Sequence, residues 1–156
     1  MAIKIRDARL SDAPQLAALM CELGYETTTV EMPRRLKSIL KDTRFRTFVA
    51  EVDNQISGVI GTLTHASHEH NDPSGKIVAL VVSTKQRRSG IGRLLIAAAE
   101  KDFTNRGVTR VSLTTRFTRE DAHEFYAALG YSKTGFRFAK NLPPVLEYTN
   151  ERKSPH

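Results

Sequence analysis

Leu80-Val-Val-Ser-Thr-Lys-Gln-Arg87-Arg-Ser-Gly90-Ile-Gly92-Arg93-Leu-Leu-Ile96 carries three signals in one stretch. Residues Ile77 to Val82 are apolar throughout, as in a strand covered on both faces. A basic, glycine-containing turn follows and opens directly into a helical pattern. Ile91, Leu94, Leu95 and Ala98 recur at helical spacing, Phe103 extends the stripe, and Arg106-Gly107 ends it. A strand that feeds a helix through glycines suits a pyrophosphate. Glycines admit the anion close to the backbone, the first N–H groups of the helix point at it, and the helix dipole favours its charge. Arg87, Arg88 and Arg93 add positive charge at the same place. A ligand carrying a diphosphate is therefore the first expectation.

Upstream, Ile3 to Arg9 alternates apolar and charged residues, as a half-buried strand does. Ser11 or Asp12 is placed to cap a helix, with Pro14 in its first turn. Leu16, Leu19, Met20 and Leu23 form its apolar stripe, which includes Cys21 as ordinary packing, and Gly24 ends it. A second helix is expected over about Val30 to Lys41, with Leu36, Ile39 and Leu40 inward. Thr47 to Val52 and Gln55 to Thr64 read as a hairpin turning at Asp53-Asn54. His65 to Gly75 is polar and turn-rich, hence a loop.

Downstream, Val108 to Thr115 is the next strand. Thr118 to Asp121 has capping-box spacing. Ala122, Phe125, Tyr126 and Leu129 continue as a short helix closed by Gly130, and Tyr131 to Ala139 reads as a final strand or strand pair. The order predicts a mixed, mostly antiparallel central sheet flanked by helices, with one crossover helix launched from a central strand. Residues 1–142 form one domain in this reading, and 143–156, opened by Pro143-Pro144, form a tail.

Two separated motifs now point the same way. Arg87-x-x-Gly90-x-Gly92 lies between a strand and a helix, and Ala122-His-Glu-Phe125-Tyr126-x-x-Leu129-Gly130-Tyr131 follows it. Together, at this spacing and in this order, they resemble the acetyl-CoA-binding motif and the C-terminal helix motif of the GNAT-type N-acetyltransferase superfamily. The resemblance implies a GNAT-like fold and acetyl transfer from acetyl-CoA to a primary amine, on a small molecule or a protein, by direct attack in a ternary complex. It implies that the backbone of Leu80, Val81 and Val82 holds the pantetheine arm. It implies that the N–H groups of Arg87, Arg88, Ser89, Gly90, Ile91 and Gly92, with the charge of Arg93, hold the pyrophosphate. Tyr126 aligns with the tyrosine that protonates the departing thiolate in many members, and it also contacts the coenzyme. The alternative is a non-catalytic acyl-CoA-binding or sensor module of the same fold.

The chemistry is reasonable on its own terms. A phenol near pKa ~10 is protonated at neutral pH and can supply a proton, whereas an alkylammonium near ~10.4 must lose one before it attacks. Many superfamily members carry a glutamate on or beside the central strand for that purpose. Ile77 to Val82 carries no acid here. Glu51 is the substitute catalytic residue, with His65, His68, Glu69 and His70 as further candidates. Arg119 stands where many relatives carry an asparagine. Glu22, Tyr25, Glu31 and Met32 flank the junction of the first two helices, a region that often borders the acceptor in the superfamily.

Composition bounds the rest. The single cysteine permits no intrachain disulfide and fits a reducing, cytoplasmic compartment. No apolar run approaches membrane-spanning length, and the charged N-terminus lacks a signal-peptide stretch. The net charge of +7 fits a phosphorylated ligand. Few aromatics interleave with the arginines, so a nucleic-acid surface is not expected. His65, His68 and His70 lack the fourth ligand and the geometry of a closed zinc site, and no metal is expected. A homodimer, reached through Tyr148 and the Pro143-Pro144 segment, stays open.

Overall fold

The computed structural model describes residues 2–115 and 120–145. They fall into two compact units, Met1–Thr114 and Thr115–His156.

The first unit is a five-stranded sheet in the order β1-β2-β3-β4-β5. Its strands are β1 (Ile3–Asp7), β2 (Phe45–Val52), β3 (Gln55–His65), β4 (Ser74–Val82) and β5 (Arg110–Leu113). The first four pair antiparallel, and β5 pairs parallel to β4 across a crossover through α3 (Ile91–Asn105). Two helices, α1 (Ala13–Leu23) and α2 (Glu31–Lys41), separate β1 from β2. The expected mixed sheet is therefore present, and the β2–β3 hairpin turns through Asp53 and Asn54 at φ 51° and 64°. Two successive left-handed residues are what a tight two-residue hairpin needs.

Strand neighbours point to opposite faces, and the faces have different covers. Val49, Val59 and Val81 pack with Leu16, Leu19, Met32 and Leu36 of α1 and α2. Gly58 points the other way, toward Ile91 and Leu95 of α3. Buried Ile91, Leu95, Ile96, Ala99 and Phe103 form the inner stripe of α3, and Leu94 is exposed. The helix is turned so that Ile96 and Ala99 take the inward places expected for Leu94 and Ala98. Both sides of that stripe are apolar in sequence, so periodicity leaves the rotation open. On α2 the buried residues are Met32 and Leu36, and Leu40 faces solvent.

At the entry to α1, Asp12 does not cap the helix with its side chain. It is itself buried, and is drawn instead into a part-buried cluster. Arg6 donates to it at 2.8 and 2.9 Å, the Arg9 N–H at 2.8 Å, and Arg6 Nε reaches Glu51 at 3.3 Å. Cys21, expected in the packing stripe, is exposed, with Sγ donating to Thr27 O at 3.4 Å.

The second unit contains α4 (Glu120–Ala128), closed by Gly130 at φ 92°. Residues 131–145 carry neither helix nor strand, although Tyr131 to Ala139 reads as one. Its alternating Phe136 and Phe138 are 79% and 93% exposed, and among the described residues no strand pairs with them. Alternation alone supplies no ladder partner. The capping-box residue Thr118, and also Arg119 and Tyr148, lie outside the described residues. Among the described residues no helix is long and apolar enough to cross a membrane.

Candidate functional site

The sequence motif sits at the carboxyl end of β4, and the register describes the sheet there. Ala50, Gly58 and Val82 form one row across β2, β3 and β4. Gly61 pairs with Ala79 and Thr62 with Ile77, so Val78 is an extra residue in β4. Such a bulge bends and twists its strand. Ile77 is also the last β4 residue paired to β5. Beyond it, Val78 to Val82 continue without a strand on that side, among the described residues. Backbone groups on this open stretch are available to an extended ligand, as they are at any sheet edge.

After β4 the chain is fixed by specific bonds. Ser83 N donates to Ser57 O at 2.8 Å, and Thr84 N donates to Glu22 Oε1 at 2.9 Å. A 3-10 turn, Thr84–Gln86, is begun by Ser83, whose Oγ accepts from Lys85 N. Ser89 Oγ donates to Gln86 O. Arg88 then adopts φ 66° and Gly90 φ 88°. Left-handed backbone costs a non-glycine residue on the order of 1 kcal/mol, so Arg88 is held there by its surroundings. Left-handed residues inside a turn also build the backbone N–H concavities that hold anions.

Gly90 is the N-cap of α3 and offers no side chain to the helix, whose first bond runs from Leu94 N to Gly90 O at 3.1 Å. The N–H groups of Ile91, Gly92 and Arg93 thus have no intrahelical acceptor. A methyl group on Gly90 would meet nothing within 4 Å among the described residues. Glycine is needed there for its φ, and the space before the helix end is open.

The charges agree with this. Arg6, Arg35, Arg44, Arg46, Arg106 and Arg110 all pair with acids. Arg87, Arg88 and Arg93 are exposed, and among the described residues none has an acidic partner. The structure therefore brings Leu80, Val81, Val82 and the run from Arg87 to Arg93 together at one end of the sheet. Val81 is buried at 5%, and Leu80 and Val82 are half-buried.

The other candidates are placed as follows. Glu51 lies on the α1/α2 face, bonded to Arg6, two strands from β4 and about 10 Å across the sheet by strand spacing. Tyr126 belongs to the second unit. Its ring stands edge-on to Phe125 at 5.3 Å and to Tyr131 at 6.1 Å, and its carbonyl accepts from the N–H groups of Leu129 and Tyr131.

The histidine loop lies at the other end of the sheet. His65 pairs with Ser74, eight residues back from Val82 along β4, roughly 26 Å in an extended strand. His65 and His70, with Arg44 and Asp72, line a cavity of about 330 Å³ at that opposite end. These side chains do not reach the glycine turn. Among the described residues no three His, Cys, Asp or Glu side chains gather as a metal site requires.

Glu22 makes a connection the sequence does not announce: it stands at the helix junction beside Tyr25, and nothing local signals its bond to Thr84, 62 residues away.

Comparison with known proteins identifies the family. The profile described as "Acetyltransferase (GNAT) family" matches residues 13–131. A protein named aminoalkylphosphonate N-acetyltransferase, from Salmonella typhimurium strain LT2, is 31% identical over 140 residues, 89% of this chain and 91% of that protein. A crystal structure described as a GNAT family acetyltransferase from Staphylococcus aureus subsp. aureus has a TM-score of 0.79 at 26% identity, covering 91% of this chain and 100% of that one. The fold is also shared, with a TM-score of 0.84 at 23% identity over 90% of this chain and 100% of the other, with a structure described as a transcriptional regulator from Bacillus halodurans C-125. The chain belongs to the GNAT family of acetyltransferases, and acetyl transfer to an amine is its activity.

Proposed function

We propose that this chain transfers the acetyl group of acetyl-CoA directly to the primary amine of a small molecule bearing a phosphonate or a similar anion. The uncapped N-terminus of α3, behind a turn whose arginines lack acidic partners among the described residues, carries the coenzyme half of the proposal. It is a site prepared for a diphosphate. The acceptor half is supported by the likeness to a protein named for aminoalkylphosphonates. The surplus of basic groups supports an anionic acceptor as well.

Acetyl-CoA supplies an acyl group activated as a thioester. In this proposal the N–H groups from Arg87 to Gly92, Ser89 and Ile91 included, take the pyrophosphate, assisted by the charges of Arg87, Arg88 and Arg93. The open backbone of Leu80, Val81 and Val82 takes the pantetheine arm. A backbone N–H near Val82 polarises the thioester carbonyl, where charge develops during attack. Tyr126 donates a proton to the departing thiolate. The acceptor arrives as an ammonium and must be deprotonated. Glu51 is the proposed base and acts through water, because two strands separate it from β4. Residues 1–142 act as one domain in this proposal, supported by a family match that spans 13–131.

A thiol-release assay with acetyl-CoA tests the proposal. The acceptors are 1-aminoalkylphosphonates, 2-aminoethylphosphonate, neutral amines of equal pKa and a lysine peptide. Turnover should favour the phosphonates over the matched neutral amines. Equal turnover of the phosphonates and the matched neutral amines would contradict the anionic acceptor.

A further inference from the structure

Glu22 is the unexplained charge at this site. It lies in the last turn of α1, and its Oε1 accepts from Thr84 N at 2.9 Å. Thr84 opens the 3-10 turn between β4 and the glycines. From Ser83 to Arg93 the chain carries Lys85, Arg87, Arg88 and Arg93 and no acid. A carboxylate beside that run opposes the binding of a diphosphate by simple repulsion. Its presence calls for a compensating role, and the bond to Thr84 supplies one.

The hydrogen bonds of the turn show what Glu22 adds. The links Ser83–Lys85, Ser83–Gln86 and Gln86–Ser89 are internal to the turn. Among the described residues two bonds tie it to the rest of the unit. One is backbone to backbone, Ser83 N to Ser57 O, and it extends the β3–β4 ladder. The other is the Glu22 carboxylate, the side chain that anchors the turn from another element. Hydrogen bonds with an ionised acceptor are stronger than neutral ones, and one at the first N–H of a turn fixes its direction.

We infer that Glu22 is a positioning residue: it holds Thr84 so that the turn presents its N–H groups to the pyrophosphate before the coenzyme arrives. Preorganisation lowers the ordering cost of binding and acts on affinity more than on chemistry. The inference rests on the coenzyme reading proposed above.

Calorimetry and steady-state kinetics on Glu22→Ala and Glu22→Gln test it, with acetyl-CoA and with S-acetylpantetheine, which lacks the pyrophosphate. Glutamine keeps an oxygen acceptor and removes the charge. Glu22→Ala should bind acetyl-CoA about tenfold more weakly, with KM raised and kcat changed less than about twofold. Its KM for S-acetylpantetheine should be unchanged. Glu22→Gln should stay within about twofold of the parent for both donors.

Equal affinity in Glu22→Ala and the parent would overturn the inference. So would tighter binding in both variants, which would make Glu22 a mere electrostatic brake. An equal loss toward S-acetylpantetheine would also overturn it, since the effect would then not run through the phosphate turn. If the parent itself fails to bind acetyl-CoA, the coenzyme reading falls and this inference falls with it. A parent that binds while Glu22→Ala matches it removes the inference alone.

Discussion

Gly58 on β3 lies directly against Ile91, the first residue of α3: a methyl group on Gly58 would stand 2.8 Å from Ile91 Cγ2 and 3.1 Å from Leu95 Cδ1. This approach seats the helix whose N-terminus faces the open site. Val82 pairs with Gly58 on the neighbouring strand, so sheet edge and helix start share one anchor. Gly58→Val should overpack this contact and cost about 1–3 kcal/mol. Urea denaturation should show a lower midpoint with an unchanged slope. Acetyl-CoA affinity should fall as well, because the displaced element carries the N–H groups proposed to hold the pyrophosphate. An unchanged midpoint would show that α3 is not seated this way.

Arg88 combines a left-handed backbone with a positive charge that has no acidic partner among the described residues, and one substitution separates the two. Arg88→Gly relieves the backbone strain while adding unfolded-state entropy, terms of about 1 kcal/mol each that nearly cancel. Stability should therefore stay within about 0.5 kcal/mol of the parent. Acetyl-CoA affinity should fall several-fold at low ionic strength, and the difference should shrink at 1 M salt. A salt-independent loss would mean that Arg88 acts through the shape of the turn.

The turn, its Gly90 and the hairpin at Asp53-Asn54 were legible because local backbone chemistry specifies them. The crossover from β4 through α3 to β5 followed from element order. The remainder depended on register and on contacts distant in sequence. Gly61 pairing with Ala79, and His65 with Ser74, place the histidines at the far end of the sheet, a fact that no window of sequence contains. Leu94 and Ile96 are equally apolar, so only packing decides which one is buried. Asp12 has the chemistry of a cap, but a guanidinium six residues earlier, folded back over β1, competes for it and wins.

That competition makes Asp12 a stability determinant. Its carboxyl is held below its ordinary value of 3.8, first by the Arg6 hydrogen bonds, with burial opposing and the Arg9 N–H assisting. A depressed folded pKa contributes stability above the unfolded value and loses it as pH falls through the folded value. At pH 7 Asp12→Asn should be less stable by about 1–3 kcal/mol, because two charge-assisted hydrogen bonds from Arg6 are weakened while Glu51 remains as its acidic partner. The gap between parent and variant should persist down to about pH 4 and narrow below it. Urea midpoints measured from pH 7 to pH 2.5 test this; a gap constant across the range would contradict it.

For Tyr126 the expected signature is kinetic. If the phenol donates the proton to the thiolate, Tyr126→Phe should lower kcat about 10²-fold while the calorimetric affinity for acetyl-CoA changes little. The edge-on contacts with Phe125 and Tyr131 need only the ring, which phenylalanine keeps. Unchanged turnover would remove Tyr126 from the chemistry and leave it as a packing residue of α4.

The most direct measurement is calorimetric titration of acetyl-CoA into the folded protein at physiological salt, with S-acetylpantetheine titrated alongside. Saturable one-to-one binding of acetyl-CoA, far tighter than that of S-acetylpantetheine, is the expected result, because the glycine turn should contribute most of its affinity through the pyrophosphate. Absence of binding, or equal affinity for the two donors, would contradict the assignment of that turn as the coenzyme site.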